Sequence, residues 1–179
     1  IHFAMEFLTQ QNKRVAGDAI SEAVALSARG KHVVVIGGGD TGSDCVGTSI
    51  RHGAASVTQI EINARPPEQE NKPLVWPNWP NKLRTSSSQE EGCAREWGVV
   101  SKQFTGDGGR VTALQAARVE WQQDANGQWK MSEVAGSAFT LKADLVIDAS
   151  GMTAPLISTL AEEGHAEFDT EDVRINVAY

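Results

Sequence analysis

Cysteine is scarce in this sequence, and its scarcity excludes several kinds of site. Cys45 and Cys93 are the only cysteines, and they lie far apart without a C-x-x-C pair. This spacing excludes a disulfide framework, a paired-cysteine metal site and a dithiol redox site. Two isolated thiols are typical of a reducing compartment, so the sequence predicts a cytoplasmic protein.

Positive charge and long apolar runs are also lacking. The net charge is −7, and 16 basic and 23 acidic residues are scattered along the chain. Without a basic stripe, the sequence gives no support for a nucleic-acid partner. Without an apolar run of about 18 residues or a basic amphipathic helix, it predicts no membrane association.

No constellation of catalytic side chains stands out. The four histidines, His2, His32, His52 and His165, are scattered and lack the helical spacing of a metal site. Asp40 and Asp44 are expected to cap a helix rather than to transfer protons. We therefore predict no catalytic residue and no metal ligand in this chain.

The first strong pattern is a βαβ unit. Val33–Ile36 is a β-branched run without polar alternation, which is typical of a strand buried on both faces of a parallel sheet. Gly37–Gly42 follows as a turn, and a helix is predicted from there to about Arg51, ending at Gly53. Val57–Ile62 is the second strand, so the unit has the order of a dinucleotide-binding fold.

The later sequence predicts more strands. Val99–Phe104, Val111–Trp121 and Gln128–Val134 are separated by turn-forming residues and predict an antiparallel meander. Residues 144–149 form another apolar run and predict a buried parallel strand. The predicted fold class is α/β, a Rossmann-like three-layer dinucleotide-binding domain with a parallel sheet and an antiparallel β-meander crossover.

Other segments carry weaker expectations. Residues 1–30 are interpreted as a leader outside the core, with a short helix near Phe7, and the proline-rich residues 63–84 as a loop. Ser87 or Ser88, each followed three residues later by glutamate, predicts a capped helix to about Trp97. Pro155 predicts a last helix, which ends near Glu163.

The glycine turn is the main chemical signal. Residues 37–42 read Gly-Gly-Gly-Asp-Thr-Gly and fit the pattern G-x-G-x-x-G. Gly37 permits a tight turn, Gly39 leaves room for a diphosphate, and Gly42 lets the helix pack close to the sheet. Backbone N–H groups at the helix start then face the anion, so Gly38, Asp40 and Thr41 are also candidate binding residues.

Two further sets of residues are candidate contacts of the cofactor. Glu61 ends the second strand, where an acid favours the 2′-hydroxyl of NAD, whereas Arg65 could pair with the 2′-phosphate of NADP. These two residues leave the choice between NAD and NADP open. Ala149, Ser150 and Gly151 follow the last core strand, where small residues let a cofactor approach the backbone.

Several blocks together resemble the small (beta) subunit of glutamate synthase. They are residues 2–8 with 10–12, the glycine turn with Asp44 and Cys45, residues 76–80 (Trp-Pro-Asn-Trp-Pro), and residues 84–92. The tryptophan–proline block and the serine–glutamate block are more specific than the glycine turn. The resemblance runs over nearly the whole chain.

The resemblance implies a function and a domain plan. Such subunits carry an NADPH domain inserted into an FAD domain, and NADPH reduces FAD. Electrons then pass through iron–sulfur clusters to the large subunit, where glutamine and 2-oxoglutarate yield glutamate. Residues 1–30 would then link to the FAD domain, residues 31–165 would bind NAD(P)H, and residues 166–179 would return to the FAD domain. Because Ile1 is not a natural start, the termini are expected to be boundaries within a larger protein.

Two alternatives stay open at this point. The parent could be another FAD and iron–sulfur oxidoreductase built on the same module. The chain could also be a non-catalytic nucleotide-binding or docking module that acts through residues 76–80. In either case FAD and the clusters are expected outside this chain, because it lacks an FAD-type glycine motif near its start and has no cluster cysteines.

Overall fold

The computed structural model describes residues 1–75 and 81–151. The strands in chain order are β1 (His2–Phe3), β2 (His32–Ile36), β3 (Ser56–Glu61), β4 (Ala94–Trp97), β5 (Val99–Asp107), β6 (Arg110–Gln123), β7 (Trp129–Glu133), β8 (Phe139–Lys142) and β9 (Leu145–Asp148). The helices are α1 (Ala4–Val15), α2 (Asp40–Arg51), α3 (Lys72–Val75) and α4 (Ser87–Glu90).

The central layer is a parallel sheet with the strand order β1-β9-β2-β3-β4. β2 lies between β9 and β3, and Val33, Val34 and Val35 are buried. Burial on both faces explains why these strands are continuously apolar. The predicted parallel sheet and its βαβ unit are confirmed.

A second, antiparallel sheet is built on β6. β5 and β6 are joined at Gly108 and Gly109, both of which have positive φ, and β7 and β8 pair with different stretches of β6. The whole sheet lies in sequence between β4 and β9 and is the predicted crossover. β8 was not predicted, since Phe139–Lys142 is too short to show a clear alternation.

Two apolar clusters cover the two faces of the parallel sheet. On one face, Phe7 of α1 and Val46 of α2 pack against Val33 and Val35. On the other face, the cluster contains Val34 and Ile60 of the parallel strands with Leu114 of β6. Helices, parallel sheet and antiparallel sheet are the three predicted layers.

The interpretation of residues 1–30 as a segment outside the core is wrong as a description of packing. Ala4, Phe7 and Ala28 are at most 4% exposed and belong to the core cluster of the helix face. His2 and Phe3 also add β1 to the parallel sheet beside β9. The segment packs here because its apolar face covers the sheet, whatever lies before it.

The predicted helix from Ser87 or Ser88 to Trp97 is also wrong in its bounds. Its cap is Ser86, whose Oγ accepts a hydrogen bond from the Gln89 N–H, and the helix ends at Glu90. Gly92 has a φ of 118°, which reverses the chain, and Ala94–Trp97 then pairs with β3 as the edge strand β4. Cys93 therefore lies ahead of a strand and not within a helix.

Some predictions lie outside the described residues. They are the last helix from Pro155 to Glu163, the return segment 166–179 and the tryptophan–proline block at residues 76–80. Within the described ranges, none of the helices has the length and apolar character that a membrane crossing requires.

Candidate functional site

The glycine turn lies at the carboxyl end of β2, between two neighbouring strands. Gly37 N–H donates to the Ile60 carbonyl of β3 at 2.9 Å, and Ala149 N–H donates to the Ile36 carbonyl at 2.8 Å. The chain continues from β2 towards β3 and β4 on one side, while β9 and β1 lie on the other. Ligands of open α/β sheets bind in the crevice at such a switch point.

Gly37 and Gly42 are required by the backbone of this turn. Gly37 has a φ of 112°, and a Cβ there would lie 2.6 Å from the Ala149 carbonyl oxygen. A Cβ at Gly42 would lie 2.2 Å from the Gly37 carbonyl oxygen. The tight turn and the close approach of helix to strand both leave no room for a side chain.

Gly39 differs, because no contact with the described residues explains its lack of a side chain. It has an extended backbone (φ −73°, ψ −175°), and a Cβ there would meet none of their atoms within 4 Å. Gly39 is the N-cap of α2, and the first helical hydrogen bond joins Ser43 N–H to its carbonyl. The N–H groups of the first turn thus have no partner within the helix, and open space lies next to them.

The aspartates beside the turn do not cap α2. Asp40 is the first helical residue and is exposed, Asp44 is exposed one turn later, and within residues 1–75 and 81–151 no side chain caps this N-terminus. The expectation that these carboxylates cap the helix is therefore wrong. Their negative charge still lies near the positive end of the helix dipole.

Glu61 lies directly against the turn. A Cβ at Gly38 would fall 1.7 Å from the Glu61 carboxyl carbon, so the carboxylate covers the α carbon of that glycine. On its other side the carboxylate faces Arg95 of β4, with 3.5 Å between Oε1 and Nη2. Their side chains are only 17% and 14% exposed, and the pair is therefore less screened than a surface ion pair.

Arg95 and Trp97 of β4 complete this side of the crevice, and sequence reasoning missed both. The Trp97 ring lies 4.8 Å from the Arg95 guanidinium and 5.4 Å from that of Arg65, which also pairs with Glu68 at 3.3 Å. Arg95 Nε and Trp97 Nε1 are buried and have no hydrogen-bond partner among the residues that the structure describes. Both residues were missed because this segment was predicted as a helix. Only as the strand β4 does it place Trp97 in register with Glu61.

Residues 149–151 border the turn on the side of β9. Asp148 is 5% exposed, and its Oδ1 accepts hydrogen bonds from the Ser150 N–H at 2.9 Å and the Ser150 hydroxyl at 2.7 Å. This arrangement turns the chain just after the strand, and Gly151 follows with a φ of 67°. The structure thus brings all the candidate residues to one edge of the sheet.

Two buried side-chain amides, those of Gln59 and Gln89, form an amide chain that is hydrogen-bonded to the glycine turn. Gln59 Nε2 donates to the Gly37 carbonyl at 2.9 Å, and Gln89 Nε2 donates to Gln59 Oε1 at 2.8 Å. Gln59 is 1% exposed and Gln89 is 7% exposed. Sequence reasoning did not find this contact, because a polar residue in the middle of a strand does not show which backbone group it reaches.

Neither of the two thiols has the properties of a reactive cysteine. Burial, with a smaller effect of the Asp44 charge, raises the pKa of the Cys45 thiol to about 12, and burial also raises the pKa of Cys93. Thiols of raised pKa are poor nucleophiles and poor metal ligands at neutral pH. In the part of the chain that is described, no group of three or more His, Cys, Asp or Glu residues could hold a metal ion.

Among solved structures, the chain is similar to FprA, an oxidoreductase from Mycobacterium tuberculosis whose structure revealed a covalent modification of NADP⁺. The TM-score is 0.53 and the identity 16%, over 82% of this chain and 44% of FprA. At this identity the likeness shows the fold alone, which is that of the predicted class. No model of a known protein family matches the chain.

Relatives with curated names are closer in sequence. The NADH glutamate synthase of Schizosaccharomyces pombe is 40% identical in an alignment of 162 residues that covers 87% of this chain and 8% of that enzyme. The NADPH glutamate synthase small chain of Mycobacterium tuberculosis is 42% identical in an alignment of 158 residues that covers 87% of this chain and 31% of that one. The chain therefore corresponds to a segment of glutamate synthases, and it spans less than a third of the length of either of these relatives.

Proposed function

We propose that this chain binds NADPH and holds it so that its nicotinamide reaches an FAD supplied by another part of the protein. The observation that carries the proposal is the open space at Gly39. A glycine that the backbone does not require stands where a helix start follows a central parallel strand. A diphosphate in that space would accept hydrogen bonds from the first-turn N–H groups.

The two sides of the turn support an orientation of the cofactor. Glu61, Arg65 and the β4 residues lie on one side, where the ribose and adenine would bind. Residues 149–151 lie on the other side, where the nicotinamide half would pass. The guanidiniums near Trp97 offer a partner for a 2′-phosphate, since the Arg65–Glu68 ion pair is largely exposed and easily exchanged.

The chain's own contribution would be positioning. NADPH supplies the hydride when it is bound, and FAD accepts it. Residues 37–42 would fix the diphosphate, and the two sides of the crevice would fix the ends of the cofactor. Among the described residues we assign no acid–base or covalent step to any side chain.

For the whole protein, the proposal follows the family. The FAD domain would join this one through residues 1–30, which also pack on the parallel sheet, and through residues 166–179, with residues 31–165 as the remainder of the NADPH domain. Electrons would leave FAD through iron–sulfur clusters to the large subunit, for glutamate synthesis from glutamine and 2-oxoglutarate. The two free cysteines, Cys45 and Cys93, support a cytoplasmic location.

NADH is the second candidate cofactor, and Glu61 is the observation that favours it. Its carboxylate lies against the turn at the end of β3, where an acid binds the ribose hydroxyls of NADH and repels a 2′-phosphate. One of the relatives named above is an NADH enzyme and the other an NADPH enzyme. The choice therefore depends on how far Arg95 neutralises Glu61.

The test is isothermal calorimetry of the protein and its Gly39→Val variant with NADPH, NADH and 2′-phospho-AMP. Valine fits the extended backbone of Gly39, and an added Cβ would meet no atom of the described residues within 4 Å, so the variant should fold normally. We expect its affinity for NADPH to fall at least a hundredfold, because the valine methyl groups take the place of the diphosphate.

The control is Gln115→Val, which puts the same side chain on the exposed surface of β6. It should bind NADPH like the unchanged protein. If the folded protein binds none of the three nucleotides at millimolar concentration, or if Gly39→Val binds NADPH normally, the proposed function is wrong.

A further inference from the structure

The serine–glutamate block around α4 has no part in the proposed chemistry, yet it is packed against the element that carries the site. Ser86 and Ser43 of α2 are joined by a hydrogen bond between their hydroxyls. Ser88 lies so close to α2 that a Cβ at Gly47 would be 2.6 Å from its Oγ. α4 is therefore held on α2 in one position.

From α4, hydrogen bonds lead to the glycine turn. Ser86 N–H donates to Gln89 Oε1 at 3.0 Å, Gln89 Nε2 donates to Gln59 Oε1, and Gln59 Nε2 donates to the Gly37 carbonyl. A backbone N–H can only donate and a backbone carbonyl can only accept. This series of hydrogen bonds begins at a backbone N–H and ends at a backbone carbonyl. The side-chain amides of Gln59 and Gln89 therefore each have a single possible orientation.

The last bond of this chain restrains the peptide between Gly37 and Gly38. Gly42 lies against the Gly37 carbonyl from another direction, and Gly37 N–H is bonded to Ile60. The peptide is planar and trans, so the Gly38 N–H points opposite to the Gly37 carbonyl, away from Gln59. The hydrogen bond that holds the Gly37 carbonyl therefore also sets the direction of the Gly38 N–H group.

We propose that Gln59 and Gln89 are positioning residues for the diphosphate of the bound nucleotide. This inference rests on the proposed function, because it assumes that the nucleotide binds at the turn. Neither side chain contacts the nucleotide; Gln59 acts through Gly37, and Gln89 acts through Gln59. The block around α4 is thus the support of the phosphate-binding turn.

The test compares Gln59→Met with Gln59→Glu in titrations with NADPH and with ADP, which contains the diphosphate but no nicotinamide. Methionine keeps the length of the side chain and removes the donor. We expect both ligands to bind about tenfold more weakly, because the Gly37 carbonyl loses its partner and the turn is no longer held.

Gln59→Glu provides a readout that a general loss of packing would not produce. An ionised carboxylate would place an oxygen against the Gly37 carbonyl oxygen, whereas a protonated one donates its O–H to it. Burial keeps the pKa of this glutamate above its usual value. Nucleotide affinity should therefore be low at pH 8 and should recover as the pH falls towards 5, relative to the unchanged protein measured at each pH.

The controls separate this inference from the proposed function. Gln115→Met is the same substitution on the exposed surface of β6 and should bind like the unchanged protein. If Gln59→Met does not fold, the same titrations are made with Gln89→Met, because Gln89 is one hydrogen bond further from the turn and its loss should disturb folding less. Wild-type affinity in the folded methionine variant, or a Gln59→Glu profile parallel to the wild type, overturns the inference. Absence of binding by the unchanged protein overturns the proposed function instead.

Discussion

The two faces of the parallel sheet are packed in different ways. Among the described residues, seven polar ones are buried; six of these lie on α2, β3 or α4, and the seventh is Asp148 at the carboxyl end of β9. The face that meets the antiparallel sheet is covered by an apolar cluster that includes Leu114, Ala116 and Val146. Polar burial is thus concentrated on the face that carries the candidate site.

The difference follows from what each kind of packing can determine. Apolar contacts are non-directional and stabilise the fold in proportion to the surface they remove from water. Buried hydrogen bonds contribute little net free energy, but they are directional, and an unmade one is costly. We therefore expect changes on the antiparallel face to alter stability alone, and changes in the amide chain to alter binding as well.

The largest effect on stability is expected for Leu114→Ala. Leu114 is fully buried in β6, opposite Phe104 of β5 and Leu141 of β8. Removing its branched end leaves a cavity, and the free energy of unfolding should fall by about 2–5 kcal/mol. Urea denaturation measures this change, and NADPH affinity, measured where both proteins are folded, should stay within twofold.

Gln115→Ala is the matched control for Leu114→Ala. Gln115 is the next residue of the same strand and is exposed, so its truncation should change stability by less than about 0.5 kcal/mol. A marked loss of NADPH affinity in folded Leu114→Ala would show that the two faces are coupled, and the comparison drawn above would fail.

A smaller effect, on specificity, is expected at the Glu61–Arg95 pair. Glu61→Gln removes the negative charge beside the ribose, and the preference for NADPH over NADH should rise about tenfold, which corresponds to about 1.4 kcal/mol. Arg95→Met leaves Glu61 without its cation and should shift the preference about as far towards NADH.

The two variants control each other, because both break the same ion pair but leave opposite charges behind. The measurement is the ratio of the dissociation constants of the two nucleotides. A shift in the same direction in both variants would mean that the pair has only a structural role on the helix face.

The sequence predicted those parts of the fold that depend on local patterns. Val33–Ile36 is apolar on both faces, Gly37 and Gly42 are required by the backbone of the turn, and Gly108 and Gly109 have the positive φ of a tight hairpin. Each of these signals comes from a requirement of the residue itself. Three strands of the parallel sheet (β2, β3 and β9), α2 and most of the antiparallel sheet could therefore be located without a structure.

The rest depends on partners distant in sequence. β4 is a strand because β3 supplies its hydrogen bonds, although Ala94–Trp97 has no apolar alternation. In the β5–β6 pair the register shifts between Ser101 and Gln103, and no local sequence pattern predicts this shift. For the site, Arg95 and Gln59 acquire their roles only from the strands that carry them to Glu61 and Gly37.

The smallest effect is expected at His52, a polar contact of the helix face that is not connected to the turn. Its Nδ1 accepts from the Ala28 N–H at 3.4 Å, its Nε2 lies 2.7 Å from Gln11 Oε1, and its ring packs edge-on against Phe7. Burial, followed by the charges of Arg14 and Arg29, lowers the pKa of this imidazole below 6.5.

Because the folded pKa is lower, the unfolded chain takes up the proton first as the pH falls. The contribution of His52 to stability should be present in full above pH 6.5 and lost as the pH falls through the folded pKa. His52→Asn keeps an acceptor but does not titrate, so it should lower stability at pH 7 by about 1 kcal/mol and flatten the decline between pH 7 and 5. Denaturation curves measured between pH 7 and 5 give the free energy of unfolding of both proteins. If its pH dependence is parallel in the two proteins, the role assigned to His52 is wrong. NADPH affinity should be equal in both, because His52 lies at the far end of α2 from the glycine turn.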